Sequence, residues 1–172
     1  GWLLGHSFDL QENLEGQLLA SVLLENSASP LMRALETTDI GHSPSPMCGL
    51  EDSNREMTFV CGIEGSDPER QDDLEALIEQ TLAKVVEEGV SEDRLEAILH
   101  QLELHQREIA GDSFPYGLQL IMTAISPMVH GGDPVELLDL EPVLADMREK
   151  IRDPQYVPGL IRRKLLENPH RV

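Results

Sequence analysis

Apolar residues Leu10, Leu14, Leu18, Leu19, Val22 and Leu23 recur at steps of three and four, the spacing that lines one helical face, behind the N-cap residue types of Ser7 to Asp9. The pattern predicts a first helix over 10–25. Ser27-Ala28-Ser29-Pro30 then stops it and opens a shorter helix, because Ser is a good N-cap and Pro suits the first turn. That helix carries Leu31, Met32 and Leu35 and is expected to end near Ile40-Gly41. The prolines between Gly41 and Met47 remove backbone donors and bias their predecessors to extended geometry, so a loop follows. Beyond it Met57, Phe59, Cys61 and Ile63 alternate with Thr58, Val60, Gly62 and Glu64, the period of a strand whose odd positions share a face. A hairpin with 47–51 follows if Asp52-Ser53-Asn54 makes the turn.

From there the helical period dominates. Leu74, Leu77, Ile78, Leu82, Val85 and Val86 follow the acidic cap region Asp67 to Asp73 and stop at Gly89. Ser91 opens the next stripe, Leu95, Ile98, Leu99, Leu102 and Ile109, which the stretch from Gly111 to Gly117 interrupts. A helix over 118–128 is expected, then a break at Gly131-Gly132-Asp133-Pro134 that caps a helix through about Ile151, and after Asp153-Pro154 a last helix over 156–166. The chain opens on the apolar strand-like run Gly1-Trp2-Leu3-Leu4-Gly5 and closes on Asn168-Pro169-His170-Arg171-Val172 as another strand begins, the pattern expected of a segment of a longer protein. Strands at both ends and in the middle, with helices between, predict an α+β class: a small, mostly antiparallel sheet covered by several amphipathic helices, in one domain spanning 1–172.

Composition narrows the partners. Aromatic residues make up only 3% of the chain, so the core must be built from Leu, Ile, Val and Met. The formal charge of −19 repels phosphate backbones, which argues against nucleic acid, and favours cationic peptides. No apolar run approaches the roughly 20 residues of a membrane span, so no membrane partner is expected. Cys48 and Cys61 lack C-x-x-C spacing, which points away from a zinc ribbon or a disulfide framework and toward a reducing, soluble compartment.

Candidate chemistry is sparse. His100-Gln101-Leu102-Glu103-Leu104-His105 resembles the inverted zinc-peptidase pattern H-x-x-E-H with one residue too many. Positions five apart on a regular helix differ by about 140° around the axis, so both imidazoles cannot grip one ion. His6, His42, His130 and His170 have no second ligand at helical or hairpin spacing, and neither a G-x-S-x-G elbow nor a Gly-rich phosphate loop occurs. Glu87-Glu88 and Asp72-Asp73 read as wet helix faces. The residues thus assign no catalytic, no cofactor-binding and no metal site to this chain. They leave open an independent acidic helical module that recognises a basic partner through an apolar groove.

Several stretches together resemble a known family: Trp2-Leu3-Leu4-Gly5, Ser29-Pro30-Leu31 with Ala34-Leu35-Glu36, the run from Gly111 to Leu118, Gly132-Asp133-Pro134, and the terminal Asn168-Pro169-His170-Arg171-Val172. In this order they resemble the second domain of presequence proteases, in the pitrilysin and insulinase group of inverzincin zinc metallopeptidases. The resemblance implies an enzyme of four related domains that closes around a chamber admitting unfolded peptides. It implies a zinc site with H-x-x-E-H in the first domain, outside this chain, and a catalytically empty second domain that builds the wall. Its expected partners are the other domains of the same protease and unfolded peptides, among which the acidic charge would favour basic ones, and its expected compartment is the bacterial cytoplasm or, in a eukaryote, the mitochondrial matrix or plastid. Apolar surface left for docking neighbours is expected to be exposed, with a dimer through it an open alternative.

Overall fold

A computed structural model describes residues 1–107, 115–135 and 139–172. The first strand, β1 (Trp2–His6), leads into α1 (Leu10–Leu24), where the Asp9 carboxylate accepts the Glu12 amide at 3.0 Å and closes the N-terminus. Helix α2 (Pro30–Thr37) starts at its proline and stops short of the expected Ile40. The reason is local: Thr38 is already extended, and its hydroxyl accepts the Ile40 amide at 3.2 Å, a turn that competes with helix.

The short strands β2 (Ser43–Pro44), β3 (Gly49–Glu51), β4 (Glu56–Val60) and β5 (Ile63–Glu64) form two antiparallel sheets, β1-β4-β3 and β2-β5. The strand expected from Met57 to Ile63 is therefore two, broken at Cys61-Gly62, and its second part turns to pair with β2. Odd residues of β4 do face inward: Met57 and Phe59 are fully buried, and Trp2 lies against Phe59 with ring centroids 5.9 Å apart. The hairpin pairs Leu50 with Phe59 and Glu51 with Thr58 as expected. The closing residues pair with β1, where Leu3 donates to His170 O at 3.0 Å and Trp2 bridges Arg171.

Helix α1 packs on this sheet, and Gly16 permits the approach, because a Cβ there would stand 3.1 Å from Leu50 Cδ1. Helices α2, α3 (Gln71–Glu88), α4 (Glu92–Arg107) and α7 (Tyr156–Ile161) surround the rest of the core with α6 (Glu141–Lys150) outside α4. Consequently α1 is buried nearly all round along its second half, with Leu18, Leu19, Val22 and Leu23 at zero exposure, rather than along one stripe. α3 ends at Gly89, whose φ of 73° is the conformation that glycine adopts without strain, and its amide caps Val85 O at 2.9 Å.

Helix α5 (Tyr116–Val129) begins before the expected Leu118, with Gly117 inside it. The helix expected to run from Pro134 through Ile151 is corrected: Pro134 and Val135 form a turn held by Asp133 Oδ1 on the Val135 amide at 2.8 Å, and α6 begins only at Glu141, with Pro142 in its first turn. The last predicted helix is right in extent, but α7 gives way at Arg162 to a π-helical turn through Leu166. The Ile109 end of the α4 stripe and residues 111–114 of the family-like run lie outside the described residues.

Candidate functional site

Helix α4 runs unbroken from Glu92 to Arg107, so positions 100 and 105 sit about 140° apart around its axis. His100 is exposed; the His105 side chain lies outside the described residues. Glu103, the carboxylate that an H-x-x-E-H base would resemble, forms an ion pair with Arg148 of α6. It ties two helices together. His6 stacks on Phe8 at 4.9 Å, His42 lies beneath Gly65, His130 Nε2 is 3.3 Å from Ser53 O, and His170 pairs with β1 through its carbonyl. Among the described residues no group of three or more His, Cys, Asp or Glu side chains could hold a metal ion.

A polar cluster that the sequence reading missed joins the last helix to α1. Glu15 is buried at 9% exposure, and its Oε1 accepts from Tyr156 OH at 3.1 Å and from Gln11 Nε2 at 3.0 Å. Lys164 Nζ lies 3.2 Å from Glu12 and 3.9 Å from Glu15. Glu12 Oε2 also accepts the His6 amide at 2.8 Å. Burial first, and then the Glu15 carboxylate, push the Tyr156 phenol above its ordinary range, which keeps it protonated and donating. These carboxylates spend their lone pairs holding β1, α1 and the chain's last helix in one register, so the cluster is a clasp rather than acid–base machinery. The signal was faint: Glu12 and Glu15 look like any other wet-face acids until α1 is seen enclosed.

The surface feature with functional content is α5. The helix carries no charged residue, and Leu118, Ile121, Met122, Ile125, Met128 and Val129 are exposed by 42, 56, 58, 44, 55 and 70%. At 100° per residue they cover a continuous stripe about 120° wide. Leu120 and Ala124 lie on the other side and are half-buried. Leu104 and Val135 add further exposed apolar surface near the two ends of this stretch of chain. A continuous apolar stripe with no charge is the mark of an interaction face rather than of scattered surface leucines. Apolar surface was expected to be exposed, and on α5 it is.

The sequence profile of the peptidase M16 inactive domain matches residues 2–102, from β1 into α4. The chain belongs to this family. It is 30% identical to the mitochondrial presequence protease of Xenopus tropicalis and 33% identical to presequence protease 1, chloroplastic/mitochondrial, of Arabidopsis thaliana, in each case over 99% of the chain and 16% of the relative. The mitochondrial presequence protease of Mus musculus is 30% identical over the same shares. The chain therefore spans about one sixth of the length of the curated relatives it matches. It is a non-catalytic α+β domain of a peptidase family, of the presequence protease type that its motifs resemble. The family profile stops before α5, whereas the similarity to the relatives continues over it. Among the described residues no helix is long and apolar enough to cross a membrane.

Proposed function

We propose that this domain forms part of the wall of a chamber in a zinc metalloendopeptidase that degrades short unfolded peptides, with zinc and the bond-cleaving groups supplied by a preceding domain of the same polypeptide. The observation that carries the reading is the uncharged, exposed stripe of α5, which suits a permanent neighbour rather than water. Apolar area removed from water contributes about 25 cal/mol per Å², so a seam of six such side chains is worth several kcal/mol of domain association. The acidic surface, at a net charge of −19, raises the local concentration of Lys- and Arg-rich peptides inside such an enclosure. The matching relatives carry mitochondrial and plastid names, which supports one of those compartments for a eukaryotic parent.

The test is Ile121→Asp with Ile125→Asp in the full-length protein. Both side chains are exposed, so this domain keeps its own fold, while peptide cleavage falls at least about tenfold in kcat/KM, a loss of roughly 1.4 kcal/mol. Small-angle scattering should show a wider, opened particle. Wild-type activity in a particle of unchanged size would refute the wall. A change from monomer to dimer equilibrium alone, read by light scattering, would assign the stripe to a second copy instead.

A further inference from the structure

The β3–β4 ladder pairs Glu51 with Thr58, Leu50 with Phe59 and Gly49 with Val60. Cys48 and Cys61 are the residues just beyond its end, one next to Gly49 and the other next to Val60. The Cys48 amide donates to Ser45 O at 3.1 Å, closing a turn over 45–48, and the Ser45 amide donates to Gly62 O at 2.9 Å, which holds this turn against the residue after Cys61. Cys61 belongs to the buried core and Cys48 packs against it, with its sulfur turned to the residue after Cys61. Sγ accepts the Gly62 amide at 3.3 Å and donates to Gly62 O at 3.4 Å, on the residue next to Cys61. Both are free thiols. Cys48 is half-buried and packs on the rim of the core, while Cys61 is buried. Cα atoms paired across an antiparallel ladder stand about 4.5–5.5 Å apart and a disulfide joins Cα atoms about 4.4–6.8 Å apart, so two thiols flanking the Gly49–Val60 pair lie within reach of one bond.

We propose that Cys48 and Cys61 are a cross-strand dithiol site that takes up oxidising equivalents from low-molecular-weight disulfides such as oxidised glutathione and closes to an internal disulfide. Cys48, the more accessible sulfur, attacks as thiolate on one sulfur of the reagent, forms the mixed disulfide and releases one glutathione thiolate. Cys61 then gives its proton to water and attacks Cys48 Sγ, forming the internal bond and releasing the second glutathione. The two protein thiols lose two electrons together, and the reagent's disulfide is reduced to two thiols. Burial, and then the neighbouring Cys48, push the Cys61 thiol up to about 12, which makes it the resolving sulfur and not the first attacker. The reading is independent of the chamber role.

Trypsin reads the pairing directly, because Arg55 lies between the two cysteines and Arg33 and Arg70 flank them. The full-length protein is treated under native conditions with oxidised glutathione, alkylated and digested. Peptide 34–55 should appear joined to 56–70, lighter by two hydrogens than the two free thiol peptides, and should separate again with dithiothreitol. Cys61→Ser should instead accumulate glutathione on Cys48, and Cys48→Ser should leave Cys61 unmodified over the same time. A stable glutathione adduct on Cys48 beside a free Cys61 in the wild-type protein, a linked peptide that forms only in denaturant, or no reaction at either sulfur would each overturn the proposal.

Discussion

Gly5 shows how much one missing side chain can decide. A Cβ at that position would stand 1.4 Å from Glu12 Oε2, so any larger residue displaces the carboxylate that holds the His6 amide and Lys164. The Glu12 side chain can swing away, and the cost is then its lost charged hydrogen bonds. Gly5→Ala should destabilise the chain by about 1–3 kcal/mol in urea melts, and Glu12→Ala should cost little more when added to it. Full additivity of the two substitutions would break the link. Titration acts at the same scale. Cys61 has its thiol raised in the folded state, so its contribution is whole below the unfolded value near 8.5 and is lost as pH climbs toward about 12. Tyr156 is also raised, and its contribution declines from about pH 10 upward by the same logic. Under reducing conditions stability should therefore fall on the alkaline side, with Cys61 supplying a slope of up to about 1.4 kcal/mol per pH unit. Cys61→Ala should remove that share of the slope; an unchanged alkaline profile would refute the assignment.

At the scale of the element, two leucine-rich helices have opposite fates. Leu18 in α1 is at zero exposure between sheet and helices, whereas Leu118 in α5 is 42% exposed. Leu18→Ala should cost about 2–5 kcal/mol by equilibrium unfolding of this chain, because it leaves a cavity that the surroundings only partly fill. Leu118→Ala should stay within about 0.5 kcal/mol. Equal losses would mean that α5 is packed after all. The period in each helix was legible from spacing, as were the Asp9 cap and the Gly89 stop. Which of them a sheet would cover was not, since an apolar stripe says that a helix must be covered and not by what. The missed start of α6 has a similar cause: Asp133-Pro134 is as good a turn as a cap, and the choice went to a turn.

For the whole molecule, the two ends of the chain meet. Gly1 donates to Val172 O at 2.7 Å, the Val172 amide donates to Gly1 O at 3.0 Å, and Arg171 forms ion pairs with Glu75 and Glu79 of α3. The residues that opened and closed the family resemblance thus lie side by side, joined by a bridge between Trp2 and Arg171. Charge also acts at this scale. If the acidic surface serves the enclosure, KM of the full-length protease for a Lys/Arg-rich peptide should rise with salt more steeply than KM for a neutral peptide of equal length. Parallel salt curves would mean that the carboxylates face bulk water and only keep the domain soluble.

By itself the sequence determined the α+β class, nearly every helix, the inward face of β4 and the family, because periodicity, capping residues and local motifs act over a few neighbours. It gave no sign that the Glu15 carboxylate is buried, and its separate treatment of Cys48 and Cys61 missed that the fold brings the Cys48 sulfur onto Gly62, next to Cys61. Tertiary structure alone decided these points, along with the enclosure of α1 and the exposure of α5. Burial and register depend on what arrives from far along the chain, and residues 141 positions apart, such as Glu15 and Tyr156, leave no mark of their meeting in the local pattern of either.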